Sequence, residues 1–280
     1  MKGRDYTVEV ISDESRPAQP KVSIIIPVLN HVQMTSECVD SIERHTRSVE
    51  YELIIVNNGS TDGTREYLDS KDGVVALHCS RNIGVAPAWN LGIEHSSGEY
   101  LCIVNNDIVF TPGWLENLLW PFGADKRVWC TGPVFTSGPL PERFDQLAEL
   151  VSESEPKLVL GGMVGFCFVL ARQAIDQVGL FDEQYETAWY EDTDYYCRLL
   201  AAGHPPALAT HSLIHHYETR TASAELPEGG LRILKKNQVR FKRKWKRLVD
   251  PGEDVLYVLP FGSLTVRQPA PQVLSDGQYS

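Results

Sequence analysis

The chain has 280 residues, of which 42% are hydrophobic and 22% are charged, and its formal net charge at pH 7 is −11. These values are typical of a globular protein with one or two domains. The acidic balance argues against a nucleic-acid partner, because binding to phosphates requires a basic surface.

Membrane segments and disulfides are not indicated by the sequence. No apolar run approaches the ~20 residues of a membrane-spanning helix, and the first twenty residues have no apolar signal core. We therefore expect a cytoplasmic protein. The six cysteines have no CxxC spacing, which favours reduced, mostly buried thiols over a disulfide framework or a zinc site.

The first part of the chain alternates between predicted strands and helices, after a flexible lead-in at residues 1–20. Strands buried on both faces are predicted from apolar runs at 22–27, 52–56 and 74–78. Helices are predicted between and after them, at 32–46, 65–70 and 86–95. Because the connections are short, this alternation indicates βαβ units and a parallel sheet.

A fourth apolar run, at residues 101–104, is followed at once by Asn105, Asn106 and Asp107 and then by the apolar residues 108–110. Ligands of open α/β sheets bind beyond the carboxyl ends of the strands. Polar side chains at that position predict a site, although asparagine and aspartate are also common in turns. The same two alternatives apply to the polar loop at 57–64.

The second part of the chain predicts a helix at 114–122, a strand at 128–134 and a polar stretch at 135–158. The apolar stretch 158–172 contains three glycines, where a ligand or another backbone can approach closely. A short helix follows at 173–179. Glu191 and Asp192 begin another helix, where acids also stabilise the helix dipole. The predicted strand 211–216 ends in His215 and His216.

A helix with one apolar stripe and an otherwise basic surface is predicted at 231–248. This pattern favours a helix that closes the domain and leaves its basic face in solvent. The alternative is attraction to an anionic membrane surface or to the acceptor. Residues 250–280 contain one apolar run, at 255–260, and have no clear role.

Two nucleotide-binding fingerprints are missing from the sequence. GxGxxG follows none of the predicted strands, which argues against a dinucleotide site, and GxxxxGK[ST] is absent, which excludes a P-loop.

Seven short motifs occur in the order found in one enzyme family. They are VSIIIPVLN (22–30), VNNGSTDGT (56–64), NIGVAPAWNLGI (82–93), VNND (104–107), GLFDEQY (179–185), YEDTDYYCRL (190–199) and IHH (214–216). The chain thus resembles the family 2 inverting glycosyltransferases over about residues 20–249. The resemblance implies the GT-A fold, an α/β architecture with a Rossmann-like, mostly parallel sheet flanked by helices and an acceptor-side subregion.

The resemblance implies that the loops after the first strands bind a nucleotide-sugar donor, UDP- or dTDP-linked. The donor-binding residues would be Pro27, Asn30, Asn57, Asn58, Asp62, Asn82, Gly84, Asn90, Asn105 and Asn106. The family usually has an acid at the position of Asn57, where it accepts a hydrogen bond from a pyrimidine base. An asparagine can still accept through its carbonyl oxygen.

The resemblance also implies a divalent cation, Mn²⁺ or Mg²⁺, at a reduced Asp-x-Asp motif in which only Asp107 is an acid. Hard cations prefer oxygen ligands and leave positions for phosphates and water. A histidine after the last core strand adds a ligand in this family. His215 matches that position best, and His216 is the adjacent alternative.

Asp192 matches the family's general base, expected to be ionised at neutral pH. Inverting transfer is a single displacement that needs one base on the acceptor side. Glu191 would orient the acceptor or Asp192, and Asp194 would support them. Gly161, Gly162 and Trp189 are acceptor-side candidates by position, for a hydroxyl acceptor on a glycan, a lipid-linked glycan or a protein.

These expectations define one domain at 21–249, with a donor half at 21–110 and an acceptor half at 111–249, followed by an extension at 250–280. Two other functions stay open. A nucleotidyltransferase would need a Gly- and Arg-rich loop after the first strand, which VLNHVQ is not. A catalytically inactive nucleotide-sugar-binding module is favoured mildly by the reduced metal motif.

Overall fold

A computed structural model describes residues 5–12, 17–217 and 230–246, together with the backbone of three short strands near the C-terminus. The first half contains the following elements: β1 Val8–Ile11, β2 Val22–Val28, α1 Val32–His45, β3 Tyr51–Asn57, α2 Thr64–Asp69, β4 Val74–Cys79, α3 Val85–Glu94 and β5 Tyr100–Val104. Strands β4, β3, β2 and β5 lie side by side in that order and are parallel. The predicted parallel sheet is thereby confirmed.

The second half extends the same sheet with mostly antiparallel strands. Its elements are β6 Ile108–Phe110, α4 Trp114–Ala124, β7 Cys130–Ser137, α5 Phe144–Ser152, β8 Leu158–Leu160, β9 Cys167–Ala171, α6 Arg172–Val178, α7 Glu191–Ala201, β10 Ala207–His216 and α8 Gly230–Lys244. Beyond β5 the order is β9, β7, β10 and β8, and only the β7–β10 pair is parallel.

Two apolar cores cover the two faces of the sheet. Successive residues of β2 alternate between them, with Ile24 and Ile26 on one face and Ile25 on the other. One core packs beneath α1, α2 and α4, and the other beneath α3, α6 and α7. Because both faces are covered, the strands read as continuous apolar runs. All six cysteines are buried free thiols, as expected.

Several elements differ from the sequence expectations. Residues 8–11, expected in a flexible lead-in, form strand β1, which pairs antiparallel with β4 and forms the edge of the sheet. Its side chains are exposed or half-buried. The sequence of this strand therefore has no apolar pattern that would predict its backbone pairing. The chain turns at Asn105–Asp107, where the sequence placed the end of the strand 101–104, and the following residues 108–110 form β6, which pairs with β10. The polar stretch 135–158 contains the helix α5.

The C-terminal part consists of α8 and three short strands, β11 Val255–Tyr257, β12 Leu264–Val266 and β13 Val273–Leu274. Strands β11 and β12 pair with each other, and β13 pairs with β8. The last three residues of the apolar run 255–260 lie outside the described residues, as do residues 247–248 of the predicted basic helix. In the described part of the chain, no helix combines the length and the apolar character that membrane crossing requires.

Candidate active site

The loops after β2 and β3 are tied together at the carboxyl edge of the parallel sheet. The backbone N–H of Asn30 donates to Ser60 Oγ at 2.8 Å, and the backbone N–H of Thr61 donates to Asn30 Oδ1 at 2.7 Å. Asn30 and His31 both adopt left-handed backbone conformations. The chain therefore turns sharply here, and Asn30 and Pro27 lie half-buried at this edge.

Asp62 links the same loops through its carboxylate. One oxygen accepts from the backbone N–H of Val32, the first residue of α1, at 3.1 Å, and the other accepts from that of Thr64 at 3.0 Å. Burial raises the pKa of this carboxyl, but the hydrogen bonds from Thr64 and Val32 outweigh it and lower the pKa overall. Asp62 therefore stabilises the starts of α1 and α2 as an ionised cap.

Asn57 belongs to a buried polar chain that the sequence did not suggest. Its Nδ2 lies 3.0 Å from His78 Nδ1, and His78 Nε2 lies 3.0 Å from Asp69 Oδ1. The backbone N–H of Ser60 donates to Asn57 Oδ1 at 2.9 Å, which fixes the amide orientation. His78 Nδ1 must then accept, so Nε2 carries the proton toward Asp69. The Asn57 amide is oriented from both ends.

Asn58 and Asn82 shape the loop before α3. Asn58 is buried, its Oδ1 accepts from the backbone N–H of Ile83 at 2.8 Å, and its Nδ2 donates to the Gly84 carbonyl at 3.2 Å. Asn82 Oδ1 accepts from the backbone N–H of Gly84 at 2.9 Å. Gly84 has a φ of 92°, which glycine adopts without strain. These residues set the loop's backbone at the sheet edge.

Asn90 lies deeper in the scaffold than the other donor-binding candidates. Its amide exchanges two 2.9 Å hydrogen bonds with the backbone of Phe181, and its Nδ2 also donates to Glu183 Oε1. Only 2% of the residue is exposed. This pairing fastens the segment after α6 to α3, which is a structural position and does not support the expected donor contact.

The turn 105–107 separates its three side chains. Asn106 is buried and its Nδ2 donates to Thr35 Oγ1 of α1 at 3.0 Å, so it holds the turn from behind. Asn105 is half-buried, and its backbone N–H donates to the Phe166 carbonyl at 2.8 Å. Asp107 is 4% exposed. Of the three, Asn106 is occupied by the scaffold, which leaves Asn105 and Asp107 for ligands.

The structure separates the two candidate histidines. His216 Nε2 lies 3.2 Å from Asp107 Oδ1, and its ring stacks on Phe166 with a centroid distance of 4.0 Å. His215 points to the other side of β10, where its Nδ1 lies 2.8 Å from Thr136 Oγ1 and its Nε2 lies 3.1 Å from the Gly138 carbonyl. Burial lowers the pKa of His215. The geometry therefore places His216, and not His215, beside Asp107.

Asp107 and His216 have the chemistry of a divalent-cation site. Asp107 Oδ1 is buried and accepts no hydrogen bond from any described residue, and a buried oxygen beside an imidazole nitrogen is a suitable ligand pair. No group of three or more histidines, cysteines or acids within the described ranges is arranged around a metal position. A cation here would therefore need further oxygen ligands from a substrate or water.

The two acids at the start of α7 differ in their surroundings. Asp192 is half-buried, and its Oδ1 accepts from the backbone N–H of Thr193 at 2.7 Å. Glu191 is 6% exposed, and its Oε2 has no hydrogen-bond partner among the described residues. Burial and the charge of Asp192 raise the pKa of Glu191 to about 8. Burial also raises the pKa of Asp192, against the hydrogen bonds from Thr193.

The pKa values of both acids are thus raised above their ordinary values. Two neighbouring carboxyl groups in one buried place do not ionise independently. A pKa of about 8 favours the protonated form of Glu191 at neutral pH, and Asp192, the more exposed of the two, is the better position for a negative charge. An aspartate with a raised pKa is a better proton acceptor than one in water.

Gly165 and Phe166 connect the two parts of the site, and neither was predicted from the sequence. A Cβ atom at Gly165 would lie well within 3.0 Å of Asp192 Oδ2, so the carboxylate rests directly against the glycine backbone. The next residue, Phe166, stacks on His216, which lies beside Asp107. Two adjacent residues thus bring the α7 acids next to the Asp107 turn. The three glycines in the stretch 158–172 were the available signal.

The predicted acceptor-side residues have backbone roles. Gly162 has no room for a side chain, because a Cβ atom would overlap Leu208 of β10. The Gly161 backbone N–H donates to the Pro206 carbonyl at 2.7 Å, and its carbonyl accepts from the Tyr196 hydroxyl at 2.8 Å. Trp189 is half-buried, with a φ of 75°, two residues before Glu191. Trp189 is therefore the candidate with a side chain near the acids.

Asp194 anchors α8 to α7. It is fully buried, and its oxygens accept from Tyr185 Oη at 3.1 Å, Trp245 Nε1 at 2.8 Å and Lys244 Nζ at 3.0 Å. Arg198 Nε also donates to it at 3.0 Å. The third acid of the motif is therefore a structural ion-pair centre beneath the site.

Comparison with known proteins settles the family. The family description "Glycosyl transferase family 2" matches residues 23–179, more than half of the chain. The chain belongs to glycosyl transferase family 2. A relative, the uncharacterized protein y4gI of Sinorhizobium fredii, is 27% identical over 262 residues, which cover 81% of this chain and 28% of the relative. The family 2 chain therefore spans less than a third of that protein.

Solved structures show which fold this family 2 member has. GalNAc-T7, determined with UDP, GalNAc and Mn²⁺, matches with a TM-score of 0.65 and 16% identity, over 81% of this chain and 49% of that one. A mannosyltransferase from Pyrobaculum calidifontis, determined with GDP-Man and Mn²⁺, matches with a TM-score of 0.58 and 18% identity, over 84% and 68%. The predicted GT-A fold is confirmed.

Proposed function

We propose that this chain is an inverting glycosyltransferase that moves a sugar from a nucleotide-sugar donor to a hydroxyl acceptor, with Asp192 as the general base. The observation that carries the proposal is the contact series Asp192–Gly165–Phe166–His216–Asp107. The series links the Asp192 carboxylate to His216 and Asp107 through two adjacent residues, which supports a role for Asp192 as proton acceptor and for the other two as ligands. Family membership and the Mn²⁺-containing structures of similar fold support it.

The donor would bind along the edge formed by the loops after β2, β3, β4 and β5. Asn30, Asn57, Asn105 and the backbone around Gly84 are the groups placed at this edge. The Asn57 amide is fixed by Ser60 and His78. The two solved structures carry UDP and GDP-Man, so similarity leaves the base open, and UDP or dTDP remains our proposal from the family pattern.

Asp107 and His216 would hold the divalent cation, Mn²⁺ or Mg²⁺, with the remaining positions open for diphosphate oxygens. When bound, such a cation supplies positive charge where the departing diphosphate becomes more negative. Asp107 alone carries the formal negative charge of the pair, so we expect weak metal binding before the donor arrives.

Asp192 would remove the proton from the acceptor hydroxyl as the hydroxyl oxygen attacks the anomeric carbon of the donor sugar. Its carboxylate is oriented by Thr193 and by the surface of Gly165. Glu191, protonated at neutral pH, keeps the shared negative charge on Asp192. With one base and a single displacement, an α-linked donor gives a β-linked product. The acceptor would be a glycan, a lipid-linked glycan or a protein that approaches past Trp189.

Calorimetry with a panel of sugar nucleotides, with and without Mn²⁺, followed by a hydrolysis assay, tests this proposal. We expect metal-dependent binding of at least one donor and slow release of its sugar. Binding without any turnover, by the wild-type chain and the Asp192→Asn variant alike, would instead support the inactive sugar-nucleotide-binding module. Cleavage of the sugar nucleotide between its two phosphates, with release of a sugar 1-phosphate and transfer of the nucleotidyl group, would support the nucleotidyltransferase.

A further inference from the structure

Positive charge is concentrated in helix α8, whereas the rest of the chain is acidic. Between residues 230 and 246 the sequence has eight lysines and arginines and no aspartate or glutamate. The net charge of the whole chain is −11, so the remaining residues carry a net charge of −19. An acidic body with one basic helix therefore tends to turn that helix toward a negative surface.

The inner face of α8 is fully used by the protein. Phe241 is 0% exposed and packs on Tyr190 with a ring-centroid distance of 5.3 Å. Asn237 is also buried, and its Nδ2 donates to the carbonyls of Glu186 and Ala188 at 2.9 Å. This face closes the domain, as the apolar stripe predicts, and it fixes the orientation of the opposite face.

The outer face of α8 combines basic and apolar side chains in solvent. Its exposed residues are Leu231, Arg232, Lys235, Lys236, Val239, Lys242 and Arg243, followed by Lys246 in the turn after the helix. Of these, Lys236 forms an ion pair with Glu186. At the spacing of an α-helix these eight fall within an arc of roughly 140°, with Val239 near its centre. Val239 is 58% exposed and Leu231 is 72% exposed. Two exposed apolar side chains among six basic ones are unusual for a face that contacts only solvent.

We infer that this outer face of α8 docks on an anionic lipid surface. Lysines and arginines near such a surface each add to the attraction, and an apolar residue at the centre of the face can enter the headgroup region. A nucleic acid fits less well, because the exposed valine and leucine have no counterpart on a phosphate backbone and the acidic body would be repelled along an extended polyanion.

Docking would place the candidate site close to the lipid. Asn237 and Phe241 support the segment 186–190, which leads directly into Glu191 and Asp192. If the proposed function holds, an acceptor carried by a lipid would be presented beside the base. This last step rests on the proposed function, whereas docking itself does not, and binding to vesicles is measured without any substrate.

Cosedimentation with lipid vesicles tests the docking. The probes are vesicles of phosphatidylcholine alone and vesicles in which about a third of the lipid is phosphatidylglycerol. We expect the wild-type chain to bind only the anionic vesicles and to be released by high salt, which screens the attraction. The triple variant Lys235→Glu, Lys242→Glu and Lys246→Glu should bind about a hundredfold more weakly.

The control variant, Arg47→Glu, Lys126→Glu and Lys157→Glu, has the same net charge and changes three exposed residues in loops elsewhere in the chain. It should keep most of the binding. Val239→Asp should weaken binding more than Leu150→Asp, which alters a 69% exposed leucine of α5. Circular dichroism checks that each variant is folded.

Three results would overturn the inference. They are equal binding to neutral vesicles, equal loss in the two triple variants, and capture by a soluble polyanion such as heparin without capture by anionic vesicles. The last result would assign the face to a soluble anionic partner. Since no sugar nucleotide is present, each result leaves the proposed transferase activity to its own tests.

Discussion

The carboxylate of Asp192 lies directly against the backbone of Gly165, with no room for a single methyl group between them. The contact joins the first turn of α7 to the segment 161–166 between β8 and β9. A glycine at this position therefore sets where the proposed base can be. The role of Gly165 can be tested with a small, uncharged substitution.

Gly165→Ala should reduce turnover by roughly a hundredfold, because moving a catalytic group by about 1 Å has an effect of that size. Metal-dependent binding of the sugar nucleotide should change little, since the donor edge is formed by other loops. Steady-state kinetics and calorimetry on the same preparation check both parts. The matched control is Gly123→Ala in α4, where a Cβ atom meets nothing within 4 Å. Similar turnover in both alanine variants would mean that the Asp192–Gly165 contact does not position the base.

Much of the fold follows from the sequence because its strands are buried on both faces. The runs at 22–27, 52–56 and 74–78 correspond to β2, β3 and β4 within two residues. Strand β1 was not predicted, since backbone pairing at a sheet edge requires no apolar pattern. Helix α5 was not predicted either, because only Phe144 and Ala148 of its nine residues are buried.

The site could be predicted only in part, because side-chain direction depends on register. His215 and His216 are adjacent, and a bulge between Ala209 and Leu213 shifts the register of β10 before it reaches them. No pattern in IHH shows which of the two faces Asp107. Similarly, Asn90 and Asn106 were expected to bind the donor. Instead, the Asn106 amide forms a hydrogen bond to α1, and the Asn90 amide, on α3, forms hydrogen bonds to the segment 181–183.

The two histidines provide the sharpest test of the metal site. His216→Ala should abolish Mn²⁺-dependent nucleotide binding, because it removes the nitrogen beside Asp107. His215→Ala should keep that binding and lose about 1–3 kcal/mol of stability, since it leaves a buried polar group unpaired. Calorimetry and urea unfolding measure the two effects. If His215→Ala loses metal dependence while His216→Ala keeps it, the assignment made here is reversed. Asp107→Ala should behave like His216→Ala and remain folded.

Asn57→Asp tests the donor edge. The carboxylate can still accept from the Ser60 N–H, but His78 must then donate to it instead of accepting. We expect nucleotide dissociation constants to change by roughly tenfold or less, the size of one hydrogen bond, with an altered preference among bases. Unchanged constants for every nucleotide would remove Asn57 from the base-binding site. Glu66→Asp on the exposed side of α2 serves as a control.

Glu191 should make the stability of the protein depend on pH. The pKa of Glu191 rises from 4.5 to about 8 on folding, so between these values the folded state keeps a proton that the unfolded state releases. Stability should then fall as pH rises through this range, by about 1.4 kcal/mol per pH unit. Glu191→Gln should remove this slope, and Glu66→Gln should retain it. Urea unfolding in one-unit steps of pH measures it, and an equal slope in wild type and Glu191→Gln would show that Glu191 is ionised throughout.

The central claim, that Asp192 is the base of an inverting transfer, is tested most directly by the anomer released when a sugar nucleotide is hydrolysed. A time-resolved NMR spectrum records the coupling constant of the anomeric proton before the free sugar equilibrates. An α-linked donor should first yield the β sugar, and Asp192→Asn should slow its release by roughly 10²–10⁴ while donor binding stays nearly unchanged. Initial release of the α sugar, or a near-wild-type rate for Asp192→Asn, would contradict the account.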